Sequence, residues 1–440
     1  MYDLVIKNGT VVTAVSTSQA DIGIVGEKIT ALGVGLSGRE EIDAKGMLVI
    51  PGGVDIHVHL EMPIGKFTST DDFSTGTTAA ALGGTTTIID FVEAQPEQPL
   101  LEAYRKRYAL AKSKSLIDFG LHMTITPTDI PKLDQLPAVA AAGCKTYKLY
   151  MAYGHRLTDG ELYKAFKAIK EVNGLPVIHA ENWDIICALV DENIANGRVS
   201  PHWHPRSRPK AFEAEAVHRV IKIAERVGLP IHIFHVSCDA AVQEIKAARA
   251  RGLPVTGETC PQYLFLSQDS YDRQGVDGAL PVCSPPLRPA HEQDKLWRAL
   301  ARHDLQVVST DHCPFTRAEK ATGLSNYSQI PGGVPSIEMR MAGVYQGVVN
   351  GRFSLNQWID LCCTAPAKLV GLHHKGHLAI GYDADIVIFD PEADKTITSQ
   401  SLHEAADWTP YEGLKLTGWP HTTFVRGKKV GAQPATPQLT

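Results

Sequence analysis

Short apolar runs alternate with longer amphipathic stretches through the middle of the chain, and this change of hydrophobic period is the signature of repeated strand–helix units. Eight runs read as strands: Gly53–Leu60, Thr85–Phe91, Ile117–Thr124, Lys145–Met151, Pro176–Ala180, Pro230–Val236, Pro254–Glu258 and Gln306–Asp311. Between them, helical spacing predicts Glu161–Val172, Ala211–Val227, Ala240–Arg251 and Glu292–Arg302, among others. A Gly-Leu-Pro stop recurs at 174–176, 228–230 and 252–254, with glycine where a helix ends and proline where a strand begins. The two ends of the chain differ in texture. Both carry short alternating segments with hairpin turns at Gly26-Glu27 and Arg426-Gly427, so the ends are expected to pair with each other.

Eight strands joined by crossover helices predict an α/β fold, a (β/α)8 TIM-like barrel over residues 52–376. A small β-sandwich domain is expected from residues 1–51 and 377–440. An open doubly wound sheet is the alternative, disfavoured because no glycine-rich phosphate fingerprint follows the first strand. The net charge of −5 is spread along the chain with no basic run, which argues against a nucleic-acid partner. No apolar run reaches the roughly 18 residues that span a membrane. Met1 to Gly9 reads as a strand rather than a signal peptide. None of the eight cysteines forms a C-x-x-C pair, so a structural zinc site is not expected, and a reduced cytoplasmic setting is.

Chemistry concentrates at the ends of the expected strands. His57 and His59 are two apart on the first strand and therefore share a face, from which both can hold one ion. His179 ends the fifth strand, His235 the sixth and Asp311 the eighth. Active sites of such barrels form at these C-terminal ends, where imidazole and carboxylate ligands suit zinc or a similar divalent ion. Any one of the five could be an ordinary buried polar residue; together they point to a metal site. His232 and His312 have the opposite parity to their ligand neighbours and are expected to face away. Lys148, in the fourth strand, is costly to bury unless paired or neutralised. Beside two cations its pKa would fall, and it could react with carbon dioxide to give a bridging carbamate.

Longer stretches carry a family resemblance. These are Pro51-Gly52-Gly53-Val54-Asp55-Ile56-His57-Val58-His59, Gly83-Gly84-Thr85-Thr86-Thr87-Ile88-Ile89-Asp90 and Lys148-Leu149-Tyr150-Met151-Ala152-Tyr153. They continue with His179-Ala180-Glu181-Asn182, His235-Val236-Ser237, Glu258-Thr259-Cys260-Pro261-Gln262-Tyr263-Leu264, Ser284-Pro285-Pro286-Leu287-Arg288 and Thr310-Asp311-His312-Cys313-Pro314-Phe315. With them the chain resembles the D-hydantoinase and dihydropyrimidinase branch of the amidohydrolase superfamily over essentially its whole length. The resemblance implies two divalent ions, zinc by expectation, bridged by a carbamylated Lys148. His57, His59 and Asp311 would complete one shell, and His179 and His235 the other. Asp311 would shuttle the proton and Tyr153 would hydrogen-bond the oxyanion of an opening cyclic amide or imide.

The same resemblance places the substrate's imide against main-chain groups of Ser284 and Gly332. The segment Ile330-Pro331-Gly332-Gly333-Val334 departs from relatives, which commonly carry Asn at the position of Gly332. Met62, Ile64, Phe67, Tyr150 and Leu157 are expected to contact the ring substituent, and the assembly to be a homotetramer. Allantoin, dihydroorotate and phosphotriester hydrolysis use similar constellations, so fold and ligands alone leave the substrate open. An oligomeric, non-catalytic scaffold is the alternative of another class, which the intact set of six ligands disfavours.

Overall fold

The computed structural model describes residues 1–430. The expected end domain extends to 440, so its last ten positions lie outside the described residues. All eight expected barrel strands are present and run parallel in sequential order. They are β1 (Gly53–Asp55), β2 (Thr85–Val92), β3 (Asp118–Thr124), β4 (Thr146–Tyr150), β5 (Leu175–His179), β6 (Ile231–Ile233), β7 (Val255–Thr259) and β8 (Val307–Val308). A parallel bridge between Val58 and His312, with the His59 N–H donating to the His312 carbonyl at 2.8 Å, brings the first and last strands together. The result is a TIM-type barrel with helices outside it.

The Gly-Leu-Pro stops work in two ways. Gly228 and Gly252 take left-handed backbone (φ 69° and 81°), which glycine adopts without the Cβ clash. At the first stop the left-handed residue is instead Asn173 (φ 51°). Gly174 is needed for space, because a Cβ there would lie 2.4 Å from the Tyr147 ring.

Two further sheets involve the chain ends. One orders Lys28–Gly33, Asp21–Val25, Tyr2–Lys7 and Gly38–Asp43. In the other, Ile386–Thr396 runs antiparallel to Leu48–Pro51, with Ile386 opposite Pro51 and Val387 opposite Ile50. Ile6, Ile22 and Ile24 of the first sheet pack with Val49, Ile386 and Phe424 of the second in one apolar cluster. At the N-terminal end of β3, Asp118 meets Lys375, which also holds Asp383 and Asp385, tying the barrel to the strand that follows it. Among the described residues, no helix is long and apolar enough to cross a membrane.

Candidate active site

The residues singled out from the sequence converge at the C-terminal mouth of the barrel. His57 Nε2 and His59 Nε2 lie 3.1 and 3.2 Å from the same oxygen, Oδ1 of Asp311, and these three side chains form a group able to hold a metal ion. The imidazoles continue in a chain: ring centroids are 5.4 Å apart for His57 and His235 and 4.4 Å for His235 and His179. Lys148 is buried among them, its Nζ 4.2 Å from the Phe234 ring centre and 4.8 Å from that of Tyr150, and it makes no side-chain hydrogen bond among the described residues.

Burial governs the protonation of this floor. It lowers the pKa values of His57, His179 and His235, the first two and the last helped or opposed only secondarily by neighbouring charges, so the imidazoles favour the neutral, metal-binding form. Burial likewise brings the Lys148 amine down to about 7. His57 Nε2 lies near Asp311 but out of line for a hydrogen bond, and it and His235 Nδ1 are buried with no partner. Buried polar atoms usually find a partner, and two on imidazoles converging at one floor leave positions that a ligand could take. The donor set, neutral imidazoles with a carboxylate, fits divalent zinc-like ions.

Carboxylates behind the floor aim it. Glu258 Oε1 is 2.6 Å from His57 Nδ1, leaving Nε2 to face the site. Glu181 Oε2 lies 2.8 Å from His179 Nε2 and 2.5 Å from Arg208 Nη1. Burial would raise Glu181, but Arg208 and His179 outweigh it and hold the carboxyl at about 2. Such carboxylate–histidine pairs fix ring orientation at metal sites. Neither Glu258 nor Arg208 was singled out from sequence, because each acts through a partner distant along the chain.

Three sequence expectations are corrected, for His232 first and then for Phe67 and Leu157. His232 does not face the helices: it is fully buried, with Nδ1 2.8 Å from Thr256 Oγ1 and Nε2 3.3 Å from Glu258 Oε2, beside the same interior carboxylate that holds His57. Phe234, of the same parity, stacks on His57 at 3.9 Å. Strand alternation fails here because β6 ends at Ile233 and His235 has φ 41°, which turns its side chain inward out of register. Asp311 (φ 51°) and Tyr153 (φ 72°) share this rare backbone. Left-handed non-glycine residues cost free energy and cluster at functional sites. His312 does point away, to Asp71 at 3.1 Å.

A cavity of about 660 Å³ opens above the floor. Tyr153, Tyr150, Ser284, Gly332, Met62 and Ile64 all line it. Phe67 and Leu157 do not. Phe67 sits in a two-residue strand paired with Ile64 and leans towards Phe315, while Leu157 is buried in the main core with its N–H donating to the Tyr150 carbonyl. Sequence reading missed a whole wall, Trp183, Ile186, Cys187 and Val190, spaced as one face of helix Trp183–Ala195. Tyr153 packs 5.1 Å from His179 and 5.5 Å from Trp183, and burial raises its hydroxyl pKa, keeping it a donor.

Residues 48–430 match the amidohydrolase family. A D-hydantoinase of Streptomyces coelicolor is 42% identical over 97% of this chain and 94% of its own length. A D-phenylhydantoinase of Escherichia coli is 40% identical, with 97% and 94% covered. Among solved structures, a D-hydantoinase from Bacillus sp. AR9 superposes with a TM-score of 0.97 at 41% identity, covering 100% of this chain and 98% of the other. A dihydropyrimidinase from Brevibacillus agri gives 0.97 at 39%, covering 99% and 98%.

Proposed function

The chain belongs to the amidohydrolase family and is a cyclic-amide hydrolase, and from that premise we propose that it opens hydantoin or dihydropyrimidine rings to N-carbamoyl amino acids. The ligands in this reading are His57, His59 and Asp311 for one ion, His179 and His235 for the other, and a carbamylated Lys148 shared between them. The observation that carries it is the pair of orphaned imidazole nitrogens, on His57 and His235, at the floor of a cavity large enough for substrate. Two divalent ions, zinc in this reading, supply Lewis acidity and a water acidified to near-neutral pKa.

The chain's own residues do the rest. A Lys148 amine with a pKa of about 7 is substantially neutral at physiological pH and can add to carbon dioxide. An N–C bond forms, a proton leaves to solvent, and the neutral amine becomes an anionic carbamate. Asp311 takes a proton from the attacking water and delivers it to the departing ring nitrogen. The Tyr153 hydroxyl donates to the carbonyl oxygen as it gains charge. Main-chain groups of Ser284 and Gly332, both on the cavity wall, hold the imide.

Acidic substrates such as dihydroorotate fit less well, because the cavity's Arg208 is already committed to Glu181. A non-catalytic scaffold is disfavoured by a complete ligand set held by oriented carboxylates. A cytoplasmic homotetramer completes the reading; eight free thiols, seven of them buried, suit a reducing compartment, and sedimentation tests the assembly. The function is tested by incubating zinc-loaded enzyme with hydantoin, 5-substituted hydantoins and dihydrouracil and detecting N-carbamoyl products. Turnover supports the reading, and its absence in metal-replete protein refutes it.

A further inference from the structure

A cavity of about 660 Å³ is within the range that receives drug-sized ligands and far exceeds a five- or six-membered ring. The space beyond the ring belongs to an exocyclic substituent, and the charges on its walls determine which substituents it accepts. Five charged side chains line the cavity: Glu93, Lys148, Asp191, Arg208 and Asp311. Lys148 and Asp311 belong to the floor, and Arg208 is held by Glu181 at 2.5 Å. Glu93, one residue beyond β2, and Asp191, towards the end of the Trp183–Ala195 helix, form no side-chain hydrogen bond or ion pair with any described residue. Above the floor, the described walls therefore carry two solvent-exposed carboxylates with no hydrogen-bonded or ion-paired partner, and no cation free of one.

Glu93 is the deeper problem electrostatically. Its side chain keeps solvent contact, and desolvation of the carboxyl raises its pKa against the opposing charges of His59, Lys148 and Arg107. It acts on the Tyr150 hydroxyl from one side, while the His155 ring stands edge-on to Tyr150 at 4.6 Å. His155 Nε2 is buried without a partner, and burial brings this imidazole down to about 4, so it is neutral at physiological pH and does not neutralise the carboxylate.

We propose that Glu93 is a specificity-determining residue that selects cyclic amides whose exocyclic substituent ends in a positive charge, an alkylammonium or guanidinium, with His155 offering a hydrogen-bond partner beside Tyr150. This rests on the ring-opening reading above. An anionic substituent of the same length meets Glu93 and Asp191 with no free cation to receive it, and a neutral one gains no attraction from either carboxylate. The floor's charge also acts on the substituent, so the change in the ratio between wild type and Glu93→Gln, which share that floor, isolates the contribution of Glu93.

The test measures kcat/KM of zinc-loaded enzyme for 5-(4-aminobutyl)hydantoin, 5-pentylhydantoin and 5-(3-carboxypropyl)hydantoin, with unsubstituted hydantoin alongside. The ammonium substrate is expected to exceed the pentyl one at least tenfold and the carboxylate to be the poorest. In Glu93→Gln the ammonium-to-pentyl ratio is expected to fall at least tenfold, with Glu93→Asp retaining part of the preference. Pentyl preferred or equal in the wild type, or an unchanged ratio in Glu93→Gln, overturns the proposal while ring opening of hydantoin stands. Should Glu93→Gln not fold, Glu93→Asp carries the comparison, and an ammonium-to-pentyl ratio equal to that of wild type overturns the proposal. If no hydantoin is opened at all, the function itself is wrong and the selectivity falls with it.

Discussion

The two ends of the barrel each gather a set of side chains that could hold a cation: His57, His59 and Asp311 at the C-terminal mouth, and Asp118, Asp383 and Asp385 at the opposite end. Both sets lie beside a buried lysine, and the lysines behave differently. Lys375 Nζ reaches Asp118 at 2.5 Å, Asp385 at 2.8 Å and Asp383 at 3.0 Å, so the acids already have their cation. Its ammonium is held charged, because the three carboxylates outweigh the burial that would lower its pKa. Lys148 faces aromatic rings, has no side-chain hydrogen bond among the described residues and loses its proton readily. Convergent ligand atoms therefore do not by themselves identify a metal site. What distinguishes the mouth is that its donors are left over: neutral imidazoles, two of them with a nitrogen that nothing satisfies. The opposite end is a clasp, in keeping with the general division of such barrels into a catalytic and a stabilising face.

That contrast can be broken most severely at Lys148. Lys148→Ala is expected to lower kcat by at least about a thousandfold, consistent with loss of an electrostatic centre of the reaction. It should also strip bound metal, with partial recovery in short carboxylic acids. Full activity would eliminate the carbamate. Lys375→Ala should spare metal content and instead destabilise the fold by about 3–5 kcal/mol, since buried Asp385 loses its cation. Denaturant melts check this, and loss of metal without loss of stability would make the clasp a second metal site.

Smaller effects sharpen the account of the mouth. Tyr153→Phe is expected to reduce kcat about 10²–10³-fold with KM little changed, if the hydroxyl serves the oxyanion. An unaltered kcat removes it from the chemistry. Glu258→Gln should weaken metal affinity about 10–100-fold, the usual cost of losing a carboxylate that orients a histidine ligand. A competitive chelator titration reads this directly, and wild-type affinity would show that His57 needs no such support.

Much of this was legible in the sequence because it is local. Strand–helix alternation gives all eight barrel strands, and two-residue spacing puts His57 and His59 on one side of the chain. What failed was the extension of local rules past the strand ends. His235 and Asp311 enter the site through left-handed backbone at φ 41° and 51°, which alternation does not foresee, and the break before His235 lets it face the same interior as His232 despite their opposite parity. Glu258 and Arg208 matter through partners far along the chain, and the residues of the substituent wall belong to a helix whose inward face only the assembled barrel defines.

The most direct test of the central claim is a metal titration followed by activity. Enzyme stripped with chelator is reloaded with zinc in steps under carbon dioxide, with metal content and opening of hydantoin and dihydrouracil measured at each step. No turnover is expected in the stripped protein, and activity is expected to rise to a plateau at two ions per chain. Full turnover without metal, or a plateau with no metal retained at the His57 and His235 centres, would contradict it.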